Sequence, residues 1–332
     1  MKREFGLDLL RSVAMLMVVA MHFPMLTGFF ASDVHGFNHV FSGAVKAFAG
    51  SGLNCFWLLS GYLLATKTEF RAGRFFGLLG WTFLYSWLSL GCLVLAGEPV
   101  AGAGILRYVF PVPGGGYWFV EVYLALLLLV PALNAAIGAL SRKATVFTLG
   151  AVSLLESVLP TVGVETFNPG SFGLGWAMAL YAVGAAVRVH ALPRVFDHGG
   201  FVLTSAGVLF AAAFGMAAVA KLLWGVAPYD CTDYNFPLTA VLSFAVFNFF
   251  RSIEIGSDSI PARLATFCGP SVFAVYLIHV SPAARKLVWP YLAGDFTSPL
   301  YPVRYVLSVF AVFAVCTMID KGVRWIRGGV WK

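Results

Sequence analysis

Ten long apolar runs follow one another along this chain, at roughly 6–30, 40–66, 75–96, 117–138, 144–160, 171–190, 201–224, 236–250, 269–293 and 300–320. Inside a bilayer, every backbone N–H and C=O must be satisfied by the protein itself, which leaves helices and closed barrels. Apolar runs near twenty residues match the length of a membrane-crossing helix. Only 11% of the 332 residues are charged, against about 25% in a soluble domain. The fifth and eighth runs are the shortest. The polar stretches between runs are too short to build a core of their own. The expectation is an all-α polytopic membrane protein of about ten transmembrane helices. It forms one membrane-embedded domain over 1–332, with no fused soluble domain.

Charge placement sets the orientation. With the N-terminus inside, ten spans return the C-terminus to the inside. Sixteen of the 22 Lys and Arg residues then fall on the inner side, among them Arg11, Arg71, Arg74, Arg188, Arg324 and Arg327. Six, including Arg285, fall outside. This obeys the positive-inside rule. The net charge of +7 is therefore read as a topology signal. The basic residues form no dense patch, which argues against nucleic-acid binding. The first run follows Lys2 and Arg3 but contains Arg11 and lacks a small-residue cleavage site, so it is expected to remain uncut. Five cysteines show neither disulfide nor metal spacing, and Cys231 is expected to be exposed in an outer loop. Asp33, His35 and His39 lack a metal-ligand signature.

Ionisable residues inside the runs carry the functional signal. Asp8, Arg11 and His22 fall on nearly one face of the first helix, because eleven residues make close to three α-turns. Arg11 can pair with Asp8 near the inner surface. His22 lies about 20 Å along the helix from Leu9, past the middle of a core about 30 Å thick. A neutral imidazole there can act as a general base. Ser60-Gly61-Tyr62 ends the second run, where small residues permit close backbone approach. Arg71 and Arg74 follow, spaced to converge on a phosphate or simply to anchor the inner loop. Tyr117-Trp118-Phe119 opens the fourth run, with Glu121 one turn in. Aromatic faces beside a carboxylate suit a sugar, and the aromatics equally suit an interfacial belt. Tyr276 and His279 share a face of the ninth run, placing a second imidazole near mid-membrane.

Taken in order, these motifs resemble the membrane acyltransferase 3 family, whose members O-acylate cell-surface sugars. The similarity covers most of the chain. It rests on Leu7-Asp8-x-Leu10-Arg11 with His22 eleven residues on, the Ser60-Gly61-Tyr62 segment, and Arg71-x-x-Arg74. It continues through Trp118-Phe119 with Tyr123 and Pro131-Ala-Leu-Asn134, then Tyr181-x-x-Gly184, and Tyr276-Leu-Ile-His279. Gly77 stands where the family usually has a proline. The resemblance implies transfer of an acyl group, acetyl by family habit, from cytoplasmic acyl-CoA to a carbohydrate or lipid-linked glycan. It implies no metal and a place in a bacterial plasma membrane. It implies catalysis by His22 with Arg11, Asp8 and His279, with His22 as base or as transient acyl carrier. Donor binding falls to Arg71, Arg74, Ser60, Gly61 and Tyr62, and acceptor binding to Trp118, Glu121 and Tyr276. Some family members carry a fused extra domain, and this chain reads as a stand-alone membrane form. A transporter or flippase would also use intramembrane Arg, His and Glu. Against that rival, the chain shows no clear inverted repeat or Gly/Pro-broken helix pair.

Overall fold

A computed structural model describes residues 4–100, 103–112, 116–164, 172–190, 194–225 and 230–330. Lys2, Arg3, Lys332 and parts of the expected outer segments around 113–115, 165–171 and 226–229 lie outside the described residues. The described chain is all α-helix with short 3₁₀ and π turns, and contains no strand. The helices are α1 (Phe5–Leu26), α2 (Phe37–Leu64), α3 (Ala72–Leu95), α4 (Ala103–Val109), α5 (Trp118–Ala139) and α6 (Arg142–Ser153). A π-helical turn, Leu154–Val158, joins α6 to α7 (Leu159–Thr161). Then come α8 (Leu174–Val189), α9 (Gly199–Trp224), α10 (Pro237–Ser252), α11 (Ile260–Cys268), α12 (Val272–His279), α13 (Pro282–Leu287), α14 (Trp289–Ala293) and α15 (Tyr301–Val330).

Eight of the resulting helical rods are long and apolar enough to cross a membrane. The expected fifth span is among them, because the π turn carries the helix on to Thr161. The expected sixth and eighth spans are the short ones, at 16 residues each. Both pack on α2, the most buried of the eight.

The ninth span departs furthest from expectation. It starts at Ile260, earlier than the predicted 269, with Ser259 as its N-cap accepting from the Ala262 N–H. It passes Gly269–Ser271 as a 3₁₀ turn and stops at His279. The reason lies in the next residues. Ser281 caps a new helix, its hydroxyl accepting from the Ala284 N–H, and Pro282 takes the first helical position. The residue before a proline is driven away from helical geometry. His279 is thus the last residue of its helix, not the middle of a span.

Helix directions bring the two described chain ends to one end of the bundle. Tyr301, at the start of α15, hydrogen-bonds Ser42 early in α2, and Tyr305 bonds Ala20 late in α1. Arg324, near the end of α15, reaches Pro270 between α11 and α12, and Pro270 borders the same cavity as Arg11. Cys231, expected to be exposed, is buried at 4% exposure.

The core is tightest between α2 and α8. A Cβ on Gly61 would lie 1.9 Å from the Tyr181 carbonyl oxygen, and one on Gly184 would lie 2.0 Å from that of Leu58. The two backbones touch, which only glycine permits. Asn54, fully buried, ties this pair to α10. Its amide donates to the Tyr234 carbonyl at 2.7 Å and the Ser243 hydroxyl at 3.1 Å, and its oxygen accepts from Trp176 Nε1 at 3.1 Å. Asn134 of α5 closes the end of α2. Its amide donates to the carbonyls of Leu64 and Lys67, both at 2.7 Å, and its oxygen accepts from the Tyr181 hydroxyl at 2.9 Å. The last carbonyls of a helix have no partner within it; here the Lys67 N–H and the Asn134 amide supply partners.

Candidate active site

The polar stripe of α1 faces the run from α11 to α12, which lies parallel to it. Arg11 meets Gly269–Pro270 across a cavity, and His22 meets His279. Asp8 sits in the first turn of α1, where the helix dipole favours a carboxylate. Arg11 Nη1 donates to Asp8 Oδ1 at 2.5 Å, with the Arg11 side chain 36% exposed.

The cavity holds about 330 Å³ and lies between α1, α2, α3, α5 and the α11–α12 turn. Arg11, Arg74 and Ser60 line it along with the apolar side chains of Met15, Leu63 and Leu78. Phe119, Tyr123 and Tyr276 add aromatic walls. The Ser60 hydroxyl donates to the Tyr123 hydroxyl at 3.2 Å. Two cations beside apolar and aromatic walls suit an elongated molecule with an anionic end.

Beyond Tyr276 stands the histidine pair. His22 Nδ1 and His279 Nε2 are 2.9 Å apart, and His279 Nδ1 is 2.6 Å from the Val275 carbonyl oxygen. A carbonyl only accepts, so the network assigns the proton of His279 to Nδ1. In the neutral ring, His279 Nε2 is then the acceptor, and His22 Nδ1 donates to it. The lone pair of His22 is left on Nε2. His279 is 1% exposed, while His22 keeps part of its surface open behind the Tyr276 wall of the cavity.

Two further contacts hold this pair. Pro24 has no N–H and cannot bond the Ala20 carbonyl four residues back. The Tyr305 hydroxyl fills that vacancy, donating to Ala20 O at 2.6 Å. The backbone two residues before His22 is thereby pinned to α15. The Trp289 indole N–H donates to the His279 carbonyl at 2.8 Å, fixing the end of α12.

The predicted site residues divide. Arg11, Arg74, Ser60 and Tyr276 line the cavity; His22 and His279 meet behind it; Asp8 holds Arg11. Gly61 and Tyr62 are not on the cavity, because consecutive helical residues point about 100° apart. Gly61 faces the Tyr181 backbone. The Tyr62 hydroxyl accepts from Arg188 Nη1 at 3.0 Å, under that guanidinium. Arg71 lies just outside α3 and is exposed. It shares a shallow cleft with Arg74, Lys67 and Glu69, and only Arg74 also reaches the cavity. Trp118 points away from the cavity, edge-on to Phe172 with ring centres 4.8 Å apart. Glu121 is partly buried in the first turn of α5 and engaged with other groups.

One residue was missed. Arg285 of α13 donates from Nε to the Val280 carbonyl at 2.9 Å, one residue past His279. In sequence it reads as one more basic residue of an outer loop. Only the helix break after His279 folds it back.

No curated protein and no solved structure gives a significant match to the chain. The model of the acyltransferase-domain family matches residues 4–321, essentially end to end. With helices long enough to cross a membrane and an imidazole pair behind a cationic cavity, the chain belongs to the membrane acyltransferase 3 family and is a multi-pass membrane acyltransferase.

Proposed function

We propose that the protein is an O-acyltransferase that moves an acyl group, acetyl in the simplest case, from acyl-CoA to a hydroxyl of an envelope carbohydrate or lipid-linked glycan. It works in a bacterial plasma membrane with both termini in the cytoplasm. The observation that carries this reading is the hydrogen-bond chain Val275–His279–His22, which leaves a basic nitrogen on the one partly exposed imidazole.

In this reading the donor's diphosphate, at the head of the pantetheine arm, meets Arg74, and the acyl-pantetheine arm lies along the cavity. Rotation of the Tyr276 ring brings the thioester to His22. His22 Nε2 takes the proton from the acceptor hydroxyl as its oxygen attacks the thioester carbonyl. The tetrahedral intermediate carries a negative oxygen, and Arg285 supplies a nearby positive charge. Collapse forms the ester and expels the CoA thiolate, which takes the proton back from His22. His279 holds the His22 ring in the productive tautomer and stabilises its charged form through the shared hydrogen bond. Trp118 and Glu121, at the start of α5, stand on the side from which the sugar arrives.

The test is a donor assay. Purified protein with acetyl-CoA and a panel of envelope glycans is expected to release free CoA and yield an acetyl ester on one glycan. Release that is the same with and without glycan, or transfer from no acyl-CoA at all, overturns the reading.

A further inference from the structure

A second basic pocket lies at the end of the bundle where α15 finishes. Trp81 of α3 meets two guanidiniums of α15, Arg324 at 4.5 Å from the ring centre and Arg327 at 5.2 Å. With Gly328 they line an open cleft of about 660 Å³. None of these residues belongs to the site described above.

The two arginines differ. Arg324 is part of the framework. Its Nε donates to Asp320 Oδ2 at 2.6 Å and its Nη2 to the Pro270 carbonyl at 2.9 Å. Asp320 is fully buried and also accepts from the Tyr85 hydroxyl at 2.7 Å. Arg327 is exposed and makes no hydrogen bond or ion pair among the described residues. It rests against the indole by cation–π attraction alone. Its whole fork of N–H donors is therefore open, in the geometry that suits a phosphate. A side chain held in place by a ring, with its donors unspent, has the chemistry to receive an anion.

Pro270 stands between this cleft and the cavity. Its carbonyl accepts from Arg324, and the same residue borders the 330 Å³ cavity opposite Arg11 and Arg74. A ligand lying across Pro270 would place an anionic group on Arg327 and a narrow tail in the cavity.

We propose that the Trp81–Arg324–Arg327 cleft is a phosphate-ester subsite continuous with the cavity. Resting on the donor reading above, its occupant is the phosphorylated nucleotide of acyl-CoA, whose pantetheine arm passes Pro270. The headgroup of an anionic phospholipid presents the same chemistry.

Arg324→Ala would leave the Asp320 carboxylate buried without its cation and threaten the fold. Arg327 carries the test. Wild-type protein and Arg327→Ala are placed in zwitterionic nanodiscs and titrated with CoA by calorimetry. A second arm measures retention of phosphatidylglycerol by native mass spectrometry. Arg327→Ala is expected to weaken CoA binding by about 10-fold or more, with thermal stability unaltered and Arg327→Lys recovering part of the loss. Loss of lipid retention with unchanged CoA affinity keeps the phosphate subsite and overturns the donor as its occupant. Unchanged CoA affinity together with unchanged lipid retention overturns the subsite. If wild-type protein binds no CoA, the donor reading fails, and the lipid arm alone decides the subsite.

Discussion

The two flanks of α2 follow opposite designs. Toward α8, glycines let the backbones touch, and Asn54 and Asn134 spend their hydrogen bonds on the framework. Toward α1, α3 and α5, large side chains hold the helices apart and leave a cavity, with Arg11, Ser60 and Arg74 on its lining. The closed flank leaves the membrane helices one arrangement. The open flank is where a ligand fits. The Ser60-Gly61-Tyr62 triplet shows the difference within one turn: Ser60 looks into the cavity, Gly61 seals the α8 seam, and Tyr62 braces Arg188. A motif that reads as one functional unit serves both flanks.

Substitutions on the open flank should change chemistry without changing stability, and those on the closed flank the reverse. His22→Ala is expected to have the largest effect, lowering the rate of acyl transfer by about 10²–10⁴-fold while detergent-solubilised yield and melting temperature stay near wild type. Wild-type turnover in that variant would remove His22 from the chemistry and leave the pair a structural contact.

Gly61→Ala comes next, on the closed side. Its Cβ would meet a backbone oxygen, not a flexible side chain, so α2 and α8 must separate. A loss of about 3 kcal/mol is expected, seen as poor membrane yield and a lowered melting temperature. Protein that does fold should keep its donor KM. Normal yield with an altered KM would erase the contrast between the flanks.

The two motif arginines give a sharper comparison, since only Arg74 lines the cavity. Arg74→Ala is expected to raise the donor KM by about 10- to 150-fold, the worth of a charge-assisted hydrogen bond of about 1.5–3 kcal/mol. Arg71→Ala should change it less, and Arg74→Lys should restore part of the loss. Steady-state kinetics with varied acyl-CoA at saturating acceptor makes the measurement. Equal effects from both arginines would place the donor's phosphates in the shallow cleft instead.

The smallest expected effect belongs to Asn134→Ala. The Lys67 carbonyl loses its side-chain donor and the Leu64 carbonyl keeps only the Lys67 N–H, at a cost of about 1–2 kcal/mol. The melting temperature should fall while the donor KM stays near wild type. An effect on KM without one on stability would move Asn134 to the open flank.

Much was legible beforehand because it depends on local chemistry. Apolar run length dictates membrane helices, and the eleven-residue interval puts Arg11 and His22 on one stripe whatever they face. The pairing of Arg11 with Asp8 follows from their separation of three. The ends of the ninth span were not legible. The apolar run continues past His279, and it hides the helix stop that Ser281 and Pro282 impose. Arg285 was hidden for the same reason.

The sequence by itself determined the class of the molecule, its family, and which ionisable groups must be sheltered inside it, because burying a charge or an imidazole in a bilayer demands partners whatever the fold. It did not determine who those partners are. That His22 meets His279, that Tyr305 answers the carbonyl freed by Pro24, and that Arg74 but not Arg71 enters the cavity are decided by how helices distant in sequence come together. A hydrogen bond between side chains 257 residues apart leaves no trace in local pattern. It exists only once packing has fixed both backbones to within a fraction of an ångström.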